Sequence, residues 1–543
     1  MLLGLPEPRM ARATRSFVRL LVAGLLGLAT GGDTASAYTN VKVNTFSNSP
    51  EECTIAIRPT QPSQVLGGAQ ASGSRYYASS NGGATWGDVL LPGQFNLGDP
   101  ALTFDADGNA YFAYIGTFSH SGIFVNKSTD GGITWKATAT PVIEHNSGQP
   151  FDDKEWPVCD WNQGARRGWL YLTWTQFDRY GSSSPTDSSR ILFARSTDGG
   201  ASFSTPLKIS DRGGDAVDTD DTVEGAVPAV GPNGDIYVCW AGPRGLEFDR
   251  STNGGISFGD DQVISDQPGG WDFPIPGLYR CNGLPVTKVD ISGGPYRGRV
   301  YVHWADNRNG DYDTFLLSSD DGGLTWSPRR RINNDPVGNG KDQFMSWIDV
   351  DPITGVIHSV FYDRRDQAGV ATDVYYAWSN DGGVTWINEK ISATPFTPNT
   401  NVFFGDYSGI AAYNGKVRPL WTRLDGNVLS IWTALIDATV SAEEQLVLPE
   451  PGTWQASGLL VAPNPTRFGS RIRFVRDELR PEVVRGLRCL RPTGAEPCRT
   501  RRSQRSLGRT RLRGRHGDER RLLHLGGCRA GGAGRGSTVS ACP

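Results

Sequence analysis

The chain is poor in sulfur. Its 543 residues include three Met and eight Cys. Four cysteines (Cys53, Cys159, Cys239, Cys281) lie in the first 440 residues and four (Cys489, Cys498, Cys528, Cys542) near the end, at spacings that match no metal site. Cys239, within Ile236-Tyr-Val-Cys-Trp240, reads as a small core hydrophobe. Net charge is almost absent too: 54 Lys and Arg stand against 57 Asp and Glu, a formal −3. That balance gives no field with which to hold nucleic acid or an anionic membrane. Long apolar runs are also missing. The run Leu20–Leu28 is too short to span a bilayer. It follows Arg9, Arg12, Arg15 and Arg19 and precedes Ala35-Ser36-Ala37, so residues 1–37 read as a secretion signal, with Met10 an alternative start. The mature chain is expected to begin near Tyr38, without a transmembrane segment, and to be a secreted or surface-delivered monomer in which cysteines can oxidise.

A second deficit marks the other end. Val475–Pro543 contains no Phe, Tyr, Trp or Lys, while arginine is dense, as in Arg499-Thr-Arg-Arg502. Alternating apolar strands cannot be found there. The composition breaks near residue 440, so the chain divides into a folded region 38–440, a linker 441–458 and a C-terminal part 459–543. Within that part, Leu459-Leu-Val-Ala-Pro-Asn-Pro465 followed by Arg471-Ile-Arg-Phe474 resembles the opening of the C-terminal sorting domains of the type IX secretion system. The remainder reads either as out-of-frame sequence that has replaced such a domain or as a basic, disordered tail for acidic polymers.

Between these ends the chain is rich in Gly and aromatics and repeats one eight-residue phrase, Ser-x-Asp-x-Gly-x-Thr-Trp, six times. The copies are Ser79–Trp86, Ser128–Trp135, Ser196–Phe203, Ser251–Phe258, Ser319–Trp326 and Ser379–Trp386. The Asp or Asn caps nearby N–H groups, the glycines supply positive φ, and the ring begins the returning strand as a packing anchor. Each box therefore reads as a structural β-turn between the third and fourth strands of a four-stranded unit. Such sheets cannot bury both faces alone and pack radially into a propeller. Six boxes give six units. A seventh without a box runs from Ser408 to Ile436 and lacks an outer strand, which Thr39–Phe46 can supply. The expected fold is all-β, a propeller of seven four-stranded blades, with six blades plus an appended hairpin as the alternative.

If the boxes mark one face, function belongs on the other, where loops converge at the axis. Acidic residues stand there before the innermost strands: Glu52, Asp99, Asp153, Glu224, Asp342 and Asp406. Arginines follow the second strands: Arg179, Arg244, Arg308, Arg364 with Arg365, and Arg423. A guanidinium cluster would hold a carboxylate bidentately and a nearby acid would protonate a leaving oxygen; alternatively these charges are latches between blades. Tyr407 alone follows its acid directly, either as a functional group or as an aromatic packed at the axis. Asp215, Asp218, Asp220 and Asp221 form an oxygen-rich loop that is either a Ca²⁺ site or a solvated acidic loop.

The boxes and blade pattern over Glu51–Asp437 resemble the sialidase (neuraminidase) superfamily of Asp-box, or bacterial neuraminidase repeat, propellers. The resemblance implies an exo-sialidase-like glycoside hydrolase with Tyr407 as nucleophile, Glu224 as its helper and Asp99 as acid/base, and with Arg244, Arg308 and Arg364 on the substrate carboxylate. The family's Phe-Arg-Ile-Pro motif is missing, and the nearest string, Ile57-Arg58-Pro59, is expected on the box face. Sialidases have six blades. The sequence thus leaves two readings for an extracellular glycan or glycoprotein partner: hydrolysis of terminal sugars, or a non-catalytic binding or scaffold propeller.

Overall fold

The computed structural model describes residues 38–46 and 49–437. The signal, linker and C-terminal assignments lie outside the described residues. What is described is a seven-bladed β-propeller of four-stranded antiparallel sheets. Blade 1 runs Glu51–Ile57, Val65–Gln70, Ser74–Ser79, Gly87–Leu90 from axis to rim. The innermost strands of blades 2 to 6 are Gly98–Phe104, Phe151–Cys159, Glu224–Val230, Val286–Val289 and Gln343–Val350. Blade 7 is Gly409–Tyr413, Lys416–Asp425, Val428–Asp437 and, on its outer edge, Thr39–Lys42. Thr39 pairs with Leu435 and Lys42 with Trp432, so the N-terminal strand closes the ring as the sequence implied. Cys53, Cys159, Cys239 and Cys281 are free and buried.

The boxes do more than turn the chain. Ser128 Oγ donates to Asp130 and accepts from the Gly132 N–H at 2.8 Å, while Asp130 accepts from Ile133 and Thr134. The anchor rings are half-buried and do not always start the outer strand; Trp326 precedes Arg330–Arg331 by a short loop. Their partners lie largely on the preceding blade: Trp326 packs edge-on against Phe248 and Phe258 against Phe193, with centroids 5.0 and 4.9 Å apart. A Cβ on Gly323 would come within 2.2 Å of Phe248, so this position needs glycine for clearance as well as for its φ of +87°. Cations of the preceding blade bind box carbonyls: Lys127 that of Gly199, Arg195 that of Gly254, Arg250 that of Gly322, Arg299 that of Gly382. The six boxes are therefore interblade fasteners on the face away from the candidate site.

Candidate functional site

Five innermost strands carry the same irregularity near their starts. The register slips between Glu51 and Thr54, Gly98 and Ala101, Asp153 and Trp156, Glu224 and Val227, and Phe344 and Trp347. The first extra residue of each bulge has positive φ: Glu52 (55°), Asp99 (51°), Lys154 (52°), Gly225 (75°) and Met345 (45°). Such bulges bend a strand and re-aim a side chain. Here three ionisable groups from neighbouring blades meet at the axis.

The result is an acidic cleft of about 160 Å³ on the face opposite the boxes, lined among others by Asp99, Asp153, Asp218, Glu224, Asp272 and Asp406. Asp99 touches both Glu52 and Asp153, and Glu224 touches Asp218. Burial, then neighbouring carboxylates, raises Glu52, Asp153, Glu155 and Glu224 well above the ordinary carboxyl range, since like charges in contact out of water cannot both ionise. Glu224 Oε2 has no hydrogen-bond partner, although the residue is 5% exposed. Tyr180 Oη donates to Asp218.

Two cations face these acids. Arg280 donates through Nε to Asp406 Oδ1 at 2.9 Å and through Nη2 to Asp406 Oδ2, and reaches Asp218 at 3.9 Å. It comes from the long link 266–285 between blades 4 and 5, which also brings Trp271, Asp272 and Asn282. Sequence reasoning passed over Arg280 because it does not follow a second strand; the length of that link was the available signal. Lys154 is buried, and its Nζ stands 3.5 Å from the Tyr407 ring centroid, 5.2 Å from Trp156 and 5.7 Å from Trp347. Burial lowers its pKa against the pull of Asp99 and Glu52.

The expected site residues separate into two groups. Glu224 and Asp99 line the cleft. Tyr407 lies beneath it, its hydroxyl donating to the Pro100 carbonyl at 3.2 Å. Arg244, Arg308 and Arg364 do not line the cleft and share no partner. Arg244 pairs with Glu247, Arg308 with Asp306 and Asp266, and Arg364 with Asp342 at 3.7 Å and the Pro276 carbonyl at 2.7 Å. Asp342 goes with Arg364 and not with the axial acids. Of the oxygen-rich loop, Asp218 joins the cleft, Asp220 accepts from the Asp272 N–H at 2.8 Å and Asp221 is exposed. Among the described residues no three His, Cys, Asp or Glu side chains are grouped so as to hold a metal ion.

A second axial cavity, about 170 Å³, opens toward the boxes. Trp156 and Trp347 form its inner wall, apolar strand residues such as Ile55, Leu102 and Ile410 its sides, and its charged pair, Lys288 and Asp349, is engaged internally at 3.0 Å. It offers little chemistry.

No family model matches the chain and no curated protein matches it. Several solved structures are similar. A lectin from Burkholderia pseudomallei is 15% identical with a TM-score of 0.45, covering 72% of this chain and 97% of its own. A polysaccharide lyase, an ulvan lyase, is 13% identical with a TM-score of 0.44, covering 74% and 96%. An intramolecular trans-sialidase from Ruminococcus gnavus is 14% identical with a TM-score of 0.38, covering 75% and 99%. These likenesses concern the propeller and leave the site to be judged on its own residues. Among the described residues no helix is long and apolar enough to cross a membrane.

Proposed function

We propose that this protein acts outside the cell, as a monomer, on terminal sugars of extracellular glycans, and that the axial acidic cleft is where it does so. The observation that carries the reading is the contact between Glu224 and Asp218 in a small polar cleft. Burial and the adjacent carboxyl keep Glu224 toward its neutral form, the state a general acid needs to protonate a glycosidic oxygen. Asp99 supplies the second carboxyl that glycoside hydrolysis requires. The many donors and acceptors around the cleft suit sugar hydroxyls, and its volume suits one ring better than a passing chain. A sialic acid is a poor candidate, because Arg280 is already committed to Asp406 and the other three arginines are engaged elsewhere.

The test is a glycan array followed by reducing-end release from whatever binds. Release by wild type that drops about 100-fold or more in Glu224→Gln, far more than any loss of binding, is the expected result. Binding without release would make the protein a lectin-like propeller. Absence of both would remove the glycan reading.

A further inference from the structure

We infer that the sugar taken by the axial cleft carries a free amino group, so that the ligand is a glycan containing unacetylated hexosamine. The inference rests on the proposed glycan reading and adds the substrate class. Charge is the first ground. The cleft wall bears six acids, Asp99, Asp153, Asp218, Glu224, Asp272 and Asp406, against two cations. Arg280 is spent on Asp406 and Asp218, and Lys154, the other cation of the lining, holds its Nζ over the Tyr407 ring. An entering anion meets no uncommitted guanidinium, whereas an ammonium meets several carboxyl oxygens.

The second ground is independent of that count. Glu224 Oε2 lines the cleft with no hydrogen-bond donor although its residue is almost fully buried. A buried acceptor left without a donor is costly, and a ligand N–H is the group that would relieve it. A lysine side chain of a peptide is the competing cationic ligand. The wall argues against it, because polar residues outnumber the apolar Trp271, Cys281 and Leu284 in the lining, a balance that favours a hydroxylated ring over a methylene chain.

Titration calorimetry on the full chain decides the matter with glucosamine and galactosamine disaccharides, their N-acetylated forms, the corresponding neutral hexose disaccharides and a lysine-containing peptide. The amino sugars are expected to bind about tenfold or more tighter than the acetylated and neutral forms. Asp272→Asn, at the half-buried rim, and Glu224→Gln are each expected to lower that preference about fivefold or more, with far-ultraviolet circular dichroism confirming the fold. Equal or tighter binding of the neutral or acetylated sugars would overturn the amino-sugar inference while leaving the glycan reading intact. Binding of the peptide alone, or of none of the probes, would overturn both.

Discussion

Tyr407 shows how much a side chain's partner matters. Its ring is the platform over which Lys154 Nζ stands, and its hydroxyl donates to the Pro100 carbonyl. Burial, then Asp99 and Glu52, raises its pKa well above the ordinary phenol value, so the phenolate a nucleophile would need is strongly disfavoured. Tyr407→Phe is expected to cost about 1–2 kcal/mol, from one lost hydrogen bond and an orphaned carbonyl. Sugar affinity should stay within about threefold, since the ring remains. Urea denaturation and calorimetry check both halves. A far larger loss of turnover with unchanged binding would restore a nucleophilic role.

At the level of the strand, the bulges decide what reaches the axis. A regular strand alternates its side chains, so each bulge changes which face the following residues present. Gly225 is the bulge residue beside Glu224, with φ at +75° and a position where a Cβ would stand 2.7 Å from Leu284 Cδ2 and 2.8 Å from Leu284 Cβ. Gly225→Ala therefore combines a left-handed backbone penalty with overpacking, together about 2–4 kcal/mol. Chemical denaturation should show that loss. Sugar binding should weaken as well, because Leu284 can yield only by shifting the link that carries Arg280 and Asn282 into the cleft.

Over the whole molecule, burial of acids sets the pH response. Burial raises Glu51 to about 8, Asp261 to about 7, and Asp249 and Asp363 each to about 6. These folded values lie above the unfolded carboxyl range near ~4. Each group's contribution to stability is thus full below about pH 4 and is lost as pH rises through about 6 to 8. The box aspartates act in the opposite sense: the Thr325 hydroxyl and main-chain N–H hold Asp321 down at about 2, so its contribution is constant across that window. The urea midpoint is expected to fall steadily between pH 5 and pH 8.5; a midpoint that rises would contradict this assignment.

Local pattern was enough to read the architecture. The box phrase, the alternating strands of each unit and the unpartnered outer edge after Ile436 are short-range signals, and they led to seven blades and to ring closure by Thr39–Lys42. Of the six acids read before the innermost strands, Glu52, Asp99, Asp153, Glu224 and Asp406 do meet at the axis, because most blades deliver that position to the same place, while Asp342 pairs with Arg364 instead. Only the tertiary structure decided which charges share a partner. Ion pairing depends on ångström-scale separation between blades. Arg244, Arg308 and Arg364, equivalent by strand position, each find an acid near their own blade, while Arg280 from a link and Lys154 from a bulge become the cations of the cleft. Burial then set the protonation of those acids, and burial is a property of the assembled ring that no single blade's sequence contains.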